Sequence, residues 1–342
     1  MSPTTDHLRR LPELHPEAGY RENVSARTLT TFGLGGAVKS LYEPRTLDAL
    51  RALLVALFDD GLSYRTLGAG SNLVFSDNGI SEPVIRLGRS FSGFTLIGES
   101  DPTPSSVEQL FHHVLHPSQI DSSAAAVRCL ALAGAPLMSL SREVTNRGYS
   151  GLEFGAGIPA SIGGAVVMNA GAHGSQFSDV VTKVFAVDRN GSDLILTKEQ
   201  LNYSYRHSEL PPGTLVLGVE LLLRAEDLEI VRKRRADCLA YRKETQPLSL
   251  PSAGSAFRNP SRGDLPHDTM DAPRAAAQLL EQVGLKGARK GGVAYSELHA
   301  NWLVRVSDDA RSEDARDLLQ LGISKVQAEH SVTLRPEIVW WE

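Results

Sequence analysis

The sequence predicts a mixed α+β protein with two or three domains, and three observations support this. The chain of 342 residues is long enough for several hydrophobic cores. Apolar residues recur at helical spacing in TLDALRALLVALFDDG, between strand-like segments at residues 37–42 and in LSYRTLG, which gives a β-α-β unit. The segment VVTKVFAVDRNGSDLILT alternates around an Arg-Asn-Gly turn, as a β-hairpin does.

Later elements follow the same reasoning. Residues 136–147 are expected to form a helix stopped by Gly148, and TLVLGVELLLR a strand. EDLEIVRKRRADCLAYRKE predicts a helix, in which the basic run 232–235 is read as a solvated face rather than a phosphate-attracting one. AAAQLLEQVGLKGARKGGVAYSELHANWLVR predicts helix, glycine turn and strand, and SVTLRPEIVWWE predicts a terminal strand.

Composition excludes several classes of protein. The formal net charge of -5 gives no global basic field, which argues against nucleic acid or an anionic membrane as the main partner. The two cysteines, Cys129 and Cys238, lack metal-ligand spacing and suggest no disulfide framework. No run of about 18 apolar residues could span a bilayer, and the N-terminus lacks the apolar core of a signal peptide. We therefore expect a cytoplasmic protein.

The segment 151–179, GLEFGAGIPASIGGAVVMNAGAHGSQFSD, is rich in glycine and small apolar residues. Glycines let the main chain adopt positive φ and approach a ligand closely, as a flat cofactor bearing phosphates requires. Glycine content alone fits such a cofactor site and a tightly wound loop with a buried strand, whose glycines serve only turns, equally well. The glycines are Gly151, Gly155, Gly157, Gly163, Gly164, Gly171 and Gly174.

A second candidate site is LGAGSNLVFSDNG, where Gly68, Gly70, Ser71 and Asn72 lie in a tight turn between strands. Backbone amides in such a turn form an anion-binding nest, to which the serine and asparagine side chains add donors. The G-x-G-x-x-G spacing of a Rossmann fingerprint is absent. Without further context, a plain hairpin turn is an equal alternative.

GIPASIGGAVVMNAGAHG resembles the central flavin segment of the UDP-N-acetylenolpyruvoylglucosamine reductases, the MurB family. LGAGSNLVF resembles the LGxGSNLL loop of that family for the flavin diphosphate, and TTFGLGG resembles its TFxxGG motif. The resemblance implies a two-lobed FAD-binding domain of the vanillyl-alcohol-oxidase/PCMH type, followed by a smaller α+β substrate-binding domain. It assigns FAD contacts to Gly68, Gly70, Ser71, Asn72, Gly157, Ile158, Pro159, Ser161, Ile162, Gly163, Gly164, Asn169, Gly171 and Ala172.

Three further blocks of the resemblance carry chemistry. Tyr205 and Arg206 match the family's GYRxS motif, in which the arginine contacts the substrate carboxylate; by themselves they would be a surface pair. QPLSLPSAGSAFRNP resembles QPxxxPxxGSxFxNP, which places Ser255 at the catalytic serine and Asn259 at a substrate-binding amide. Glu337, in a segment like LxPEV, falls on the catalytic glutamate. Without the resemblance, the serine would be an ordinary turn hydroxyl and the glutamate an exposed edge residue.

The block GLKGxxxGGxxxSxxHANF is also matched, by residues expected to shape the lobe rather than to do chemistry: Lys286, Gly292, Ser296, His299 and Asn301. Two departures stand out. Thr245 precedes Gln246 where some members carry a lysine, so the phosphate contact assigned to that position is not carried over. The short distance between the GYRxS and GS blocks leaves no room for the long tyrosine loop of some members, which indicates the shorter subtype.

The expected organisation is linear: a poorly ordered lead-in at 1–22, FAD-binding lobe 1 at 23–90, lobe 2 at 91–225, a substrate-binding domain at 226–330, and a C-terminal strand at 331–342. The stretch near 97–126 shifts to Ser, Pro and acidic residues, which predicts an insertion or long surface loop. It contains His112, His113 and His116, for which a solvated loop is favoured over a metal site.

The resemblance implies a two-stage reduction with noncovalent FAD. NADPH reduces the flavin and leaves, and UDP-N-acetylglucosamine enolpyruvate is then reduced to UDP-N-acetylmuramate for peptidoglycan. Arg206 and Glu337 would stabilise the enolate-like intermediate and Ser255 would supply the proton. A monomer is expected. Two alternatives remain open: a sugar or alcohol oxidase of the same flavin fold, and a non-catalytic nucleotide-sugar sensor.

Overall fold

The computed structural model describes residues 11–117, 124–265 and 274–342. These residues fall into two compact units. Unit 1 consists of residues 11–22, 40–69, 82–117 and 124–240, and unit 2 consists of residues 23–39, 70–81, 241–265 and 274–342. The chain therefore alternates between the units, whereas the sequence predicted lobes that follow one another along the chain.

In the described residues the strands are β1 (Tyr20–Ser25), β2 (Ala37–Tyr42), β3 (Arg65–Leu67), β4 (Leu73–Phe75), β5 (Val84–Arg86), β6 (Phe94–Gly98), β7 (Ala126–Leu132), β8 (Tyr149–Ser150), β9 (Gly171–Ala172), β10 (Ser175–Gln176), β11 (Val181–Val187), β12 (Asp193–Thr197), β13 (Leu215–Ala225), β14 (Ser252–Ser255), β15 (Arg289–Lys290), β16 (Val293–Tyr295), β17 (Trp302–Arg305) and β18 (Val339–Trp341). The α-helices with both ends in this part of the chain are α1 (Leu47–Asp59), α2 (Val107–Leu115), α3 (Leu137–Asn146), α4 (Ile162–Val167), α5 (Leu228–Thr245), α6 (Ala276–Gln282) and α7 (Ser312–His330). No helix among the described residues combines the length and the apolar character needed to cross a membrane.

The largest sheet of unit 1 has antiparallel neighbours in the order β12-β11-β13-β7-β6, with β8 beside β13. The hairpin predicted around the Arg-Asn-Gly turn is confirmed as β11 and β12. Residues 215–221 of the central strand β13 are all buried, as expected of a strand covered on both faces. At Gly218 an added Cβ would lie 2.5 Å from Leu110 Cδ2, so α2 packs directly on this strand.

The predicted β-α-β unit is also present in unit 1. β2 and β3 both run parallel to β5. Between them, α1 begins where the Thr46 side chain accepts a hydrogen bond from the N–H of Ala49. Its apolar stripe, which includes Leu50, Leu53 and Leu57, is buried and anchors the helix in the core.

Unit 2 contains the antiparallel sheet β14-β17-β16-β15 and the parallel pair β4 and β18. Its core combines the sheet with α6 and α7 and includes Phe257, Leu280, Tyr295 and Leu318. The Tyr295 hydroxyl donates a hydrogen bond to the C=O of Leu318 at 2.8 Å and ties the sheet to α7. Neither α7 nor β14 was predicted from the sequence.

The structure corrects the prediction for the stretch 97–126. An insertion or a long surface loop was expected; the loop is wrong for Val107–Leu115, which form α2, and β7 begins at Ala126. Val107, Leu110 and Val114 are buried at helical spacing, and this short stripe outweighs the polar residues around it. Residues 118–123 lie outside the described residues.

Both ends of the chain also differ from expectation. Of the predicted lead-in 1–22, residues 1–10 lie outside the described part, but Leu11 and Ala18 are buried and β1 begins at Tyr20. The prediction of poor order was therefore wrong for residues 11–22. The strand expected over 331–342 is limited to β18, so Glu337 lies just before the strand rather than within it.

Candidate active site

Ser255 ends β14 at a β-bulge. On β17, Val304 lies opposite Ser252 and Trp302 lies opposite Ser255, so β14 carries one extra residue between these pairs. Gly254 provides the irregular backbone with φ +80°, a value that favours glycine. Because residues directly opposite each other share a face of the sheet, the bulge decides to which face the Ser255 side chain is directed.

Main-chain hydrogen bonds hold Glu337 beside the Ser255 segment. The N–H of Glu337 donates to the C=O of Ala256 at 2.9 Å, and Phe257 forms an antiparallel bridge with Pro336. Since Ala256 follows Ser255 directly, the segments that carry Ser255 and Glu337 run side by side, and both side chains are partly exposed. The structure thus brings together two of the three predicted catalytic residues within unit 2.

The predicted diphosphate loop contacts the same segment. Asn72 Nδ2 donates to the C=O of Glu337 at 3.1 Å, and the N–H of Val339 donates to the C=O of Asn72 at 3.0 Å. These bonds extend the pairing between β4 and β18. The Asn72 amide therefore fixes the Glu337 main chain, while its contact with FAD stays a prediction.

Gly70 and Ser71 in this loop belong to unit 2, whereas Gly68 belongs to unit 1. Gly70 has φ +65°, and an added Cβ would lie 2.2 Å from the carbonyl oxygen of Leu29. Its C=O accepts the N–H of Thr31 at 3.1 Å, so the predicted TTFGLGG segment packs against the loop. Ser71 is partly exposed, as a ligand-binding hydroxyl must be.

In unit 1 the glycine-rich segment forms α4 and then the small hairpin of β9 and β10. Ser161 Oγ accepts the N–H of Gly164 at 3.2 Å at the start of α4. At Gly68 an added Cβ would lie 2.5 Å from the same Oγ, so a larger residue there would displace the hydroxyl that caps α4. At Gly164, by contrast, an added Cβ would meet only this Oγ, at 3.3 Å, among the described residues outside the main chain of α4 and its neighbours, which leaves main chain that a ligand can approach.

Exposure divides the predicted FAD residues of this segment. Ser161, Ile162 and Asn169 are buried. Asn169 Nδ2 donates to Gln176 Oε1 and to the C=O of Ser204, both at 3.0 Å, and its Oδ1 accepts the N–H of Ser178. Asn169 therefore orders the segment around it. The residues with at least partly exposed surface are Gly157, Ile158, Pro159, Gly163, Gly164, Gly171 and Ala172.

Tyr205 and Arg206 form the tip of a tight turn closed by hydrogen bonds between the main chains of Ser204 and His207. Arg206 has φ +57°, an uncommon value for a residue other than glycine. Its Nη2 donates to the C=O of Gly171 at 3.0 Å, and its guanidinium lies over the Tyr205 ring, 4.9 Å from the centroid. The turn thus places the arginine beside the hairpin predicted to contact FAD.

Asn259 and His299 are held by unit 2 itself. Asn259 is exposed, and its Oδ1 accepts the N–H of Ala276 at the first residue of α6. His299 Nδ1 accepts the N–H of Asn301 at 3.2 Å, which requires a neutral imidazole with its proton on Nε2. Burial lowers the pKa of His299, and Lys286 lowers it further, so the neutral form is favoured.

The described residues contain no group of three His, Cys, Asp or Glu side chains placed to hold a metal ion. His112, His113 and His116 lie at the end of α2, with 4.8 Å between the ring centroids of His112 and His116. The basic run in α5 makes surface ion pairs, such as those of Arg232 with Glu229 and Lys233 with Asp237. This agrees with its interpretation as a solvated helix face.

Comparison with known proteins identifies the family of this chain. Residues 246–341 match the family model described as "UDP-N-acetylenolpyruvoylglucosamine reductase, C-terminal domain", and residues 111–196 match the model described as "FAD binding domain". The UDP-N-acetylenolpyruvoylglucosamine reductase of Bacillus pumilus is 34% identical over 93% of this chain and 92% of the relative. The chain belongs to the UDP-N-acetylenolpyruvoylglucosamine reductase family.

Other members of the reductase family align over similar lengths. The Bacillus subtilis protein of the same name is 33% identical over 90% of this chain and 89% of the relative. The crystal structure of the Thermus caldophilus reductase superposes with a TM-score of 0.71 at 32% identity, covering 94% of this chain and all of that one. The predicted fold class, an FAD-binding domain of the PCMH type with a further α+β domain, is confirmed.

The residues present fit FAD, the cofactor of the family. The main chain around Gly164 is open to a flat ligand, and Gly171 and Ala172 are partly exposed on the adjoining hairpin. The turn at Gly70 and Ser71 has the small residues and positive φ that an anion-binding nest requires. Sequence analysis missed Gly254, whose place in SAGS gives no local sign of a bulge, and did not anticipate how Asn301 bonds to the Ser255 segment.

Proposed function

We infer that this chain catalyses the NADPH-dependent, FAD-mediated reduction of UDP-N-acetylglucosamine enolpyruvate to UDP-N-acetylmuramate, a step of bacterial peptidoglycan synthesis. Family membership over more than nine-tenths of the chain supports the reaction. The observation that supports the residue assignment is the hydrogen bond between the Glu337 N–H and the Ala256 C=O, which holds the main chain of Glu337 beside the residue that follows Ser255. An oxidase or a sensor would not need that pair.

FAD, when bound, would supply the hydride-transfer chemistry that links NADPH to the enolpyruvyl group. We assign its binding to the partly exposed main chain at residues 157–159, 163–164 and 171–172, together with the turn at 68–72. Asn169 and Ser161 hold that main chain in place through their hydrogen bonds to Gln176, Ser178 and Gly164. Both roles are proposals that rest on exposure and on the family resemblance.

Ser255 is the proposed proton donor. Hydride addition to the terminal enolpyruvyl carbon leaves negative charge on the neighbouring carbon, which is delocalised into the carboxylate. A serine hydroxyl is a weak acid, but such a carbanion-like centre is a strong base, so proton transfer is favourable if Ser255 is aimed at it. We attribute that aim to the bulge at Gly254, which determines the face of the sheet to which Ser255 is directed.

Arg206 and Glu337 are proposed to stabilise the same charge. The guanidinium is always protonated and offers a planar pair of donors for a carboxylate. Its orientation is restricted by the Gly171 C=O and the Tyr205 ring, which reduces the entropy lost on binding. Glu337 would donate a hydrogen bond in its protonated form, since a carboxylate would repel the developing charge. Tyr205 and Asn259 are proposed to contact other parts of the substrate.

We further propose that the chain is of the shorter subtype, a monomer and cytoplasmic. Only residues 207–254 separate Arg206 from Ser255, and they are largely accounted for by β13 and α5, which leaves little chain for a tyrosine loop. Both cysteines are free thiols, consistent with a reducing compartment. Analytical ultracentrifugation of the FAD-loaded protein tests this oligomeric state, and a monomer should sediment with the mass of one chain.

Anaerobic absorbance tests the reaction. NADPH should bleach the flavin band of the purified protein, and UDP-N-acetylglucosamine enolpyruvate should then restore it. Bleaching by a simple alcohol, followed by rapid recovery with oxygen, would instead identify an oxidase. Bleaching without recovery on addition of the enolpyruvyl substrate would reject the proposed acceptor.

A further inference from the structure

Asn301 bonds to the main chain that directly follows Ser255. Its Oδ1 accepts the N–H of Phe257 at 2.9 Å, and its Nδ2 donates to the C=O of Phe257 at 2.8 Å. Its own C=O accepts the N–H of Ala256 at 2.7 Å. Asn301 is only 4% exposed, so these bonds are shielded from competing water.

The remaining polar main-chain group of this dipeptide is the C=O of Ala256, which accepts the N–H of Glu337. Asn301 and Glu337 therefore share the four main-chain donors and acceptors of Ala256 and Phe257. Any movement of Asn301 would shift the peptide that carries Ser255 on one side and holds Glu337 on the other. Loss of the side chain would also leave two buried main-chain groups unpaired, which is costly.

An asparagine is suited to this position. Its amide offers an acceptor and a donor side by side, as a neighbouring strand would, and the two bonds to Phe257 fix which way the amide points. The turn that carries Asn301 is itself braced, because the N–H of Asn301 donates to His299 Nδ1 and the Ser296 hydroxyl accepts the N–H of Leu298 and His299. The turn thus holds the main chain of Asn301, while the side-chain amide bonds to Phe257.

We propose that Asn301 is a positioning residue for the protonation step: it holds Ser255 and Glu337 in the relative register that the reduction requires. The inference rests on the proposed function, since it takes those two residues as the catalytic pair. It assigns no contact between Asn301 and substrate. Its effect should therefore be confined to the half-reaction in which the enolpyruvyl substrate is reduced.

Asn301→Asp is the sharpest test because the side chains have the same shape. As a carboxylate, the aspartate still accepts the Phe257 N–H but turns an acceptor toward the Phe257 C=O; when protonated it regains a donor. At pH 8, flavin reoxidation by substrate should be at least about tenfold slower than in the unmodified protein, while bleaching by NADPH stays within about twofold. As the pH falls to about 5.5, the ratio of variant to unmodified rate should rise toward one, because burial raises the pKa of an aspartate. His299, with Lys286 and Glu281 near it, is bonded to the main chain of residue 301, so the same ratio is also taken for Asn301→Ala, in which no carboxyl group is added beside this imidazole.

Asn301→Ala should slow reoxidation about 100-fold at every pH, since misplacing a reacting group by about 1 Å has that effect. Tyr295→Phe is the matched control: it removes a different buried hydrogen bond of unit 2, that to Leu318, and should lower the melting temperature while leaving both half-reactions within about twofold. Hydrogen exchange gives a readout independent of activity. The Phe257 amide should exchange faster in Asn301→Ala but not in Tyr295→Phe.

Two outcomes overturn the inference: an Asn301→Asp variant that reoxidises at the normal rate at pH 8, or a defect equal in both half-reactions. Failure of the proposed function is distinguishable, because Ser255→Ala would then leave reoxidation intact. If flavin reoxidation is slow in Ser255→Ala but normal in Asn301→Asp, only the positioning role of Asn301 is rejected.

Discussion

Replacing Gly254 with alanine tests whether the bulge directs catalysis. Gly254 has φ +80°, and among the described residues beyond its chain neighbours an added Cβ would meet only the carbonyl oxygen of Ser71, at an ordinary contact distance of 3.8 Å. The substitution therefore introduces backbone strain without a clash. For an L-residue this strain costs about 1–2 kcal/mol. The chain can retain the strained bulge, or it can relax the bulge and redirect Ser255.

Gly284→Ala is the matched control. Gly284 follows α6 with φ +71°, and no atom of the residues described in the structure, its chain neighbours aside, lies within 4 Å of an added Cβ, so its strain should be similar. Both variants should lose about 1–2 kcal/mol in urea unfolding. If the bulge relaxes, Gly254→Ala alone should slow flavin reoxidation by substrate, by up to about 100-fold for a displacement of about 1 Å. Stopped-flow absorbance under anaerobic conditions measures both half-reactions. Equal reoxidation rates in the two variants would refute the reasoning that the bulge aims Ser255.

Three further predictions concern charge and burial. Arg206→Lys should slow reoxidation about 10- to 100-fold and leave bleaching by NADPH nearly unchanged, because a charge-assisted hydrogen bond contributes about 1.5–3 kcal/mol; an equal loss in both halves would contradict a substrate role. Since the pKa of His299 is lowered in the folded protein, its contribution to stability is complete above the unfolded pKa of about 6.5 and is lost as the pH falls through the folded value. The free energy of unfolding should therefore fall between pH 7.5 and 5.5, and this group should contribute at most about 1.4 kcal/mol per pH unit. His299→Asn keeps an acceptor for the Asn301 N–H and should reduce the dependence of the unfolding free energy on pH. An unchanged pH dependence in this variant would reject the assignment to His299. Burial raises the pKa of the Cys129 thiol to about 12, so an alkylating reagent at pH 8 should label Cys129 only after the protein unfolds. Peptide mass spectrometry measures this labelling. Rapid labelling of Cys129 in the folded protein would contradict its burial.

Elements with a clear local signal could be predicted from the sequence. The apolar stripe of α1, the helix α3 stopped before Gly148 and the hairpin of β11 and β12 each depend on residues close together in the chain. The helix α7 carried a usable signal that was overlooked: acidic residues at its start and buried Ala315, Leu318 and Val326 at helical spacing. α2 was missed because its apolar stripe is short and surrounded by loop-like composition.

The site depends on contacts that no local pattern encodes. Ser255, Arg206 and Glu337 were indicated by motif resemblance, but the hydrogen bond from the Glu337 N–H to the Ala256 C=O joins segments far apart in sequence. The bulge at Gly254 likewise exists only because β17 pairs with both sides of it. The alternation of the chain between the units could not be read from periodicity, since periodicity reports which face of an element is buried and not what covers it.

Single-turnover reoxidation of Ser255→Ala tests the central claim most directly. The FAD-loaded variant is reduced with NADPH without oxygen and then mixed with UDP-N-acetylglucosamine enolpyruvate, while the flavin band is followed. If Ser255 supplies the proton, bleaching should proceed at nearly the normal rate and recovery should slow by about 10²–10⁴-fold, the usual contribution of a positioned acid. Recovery at the normal rate, with the same product formed, would show that the proton comes from elsewhere and that the pairing of Ser255 with Glu337 does not carry the chemistry.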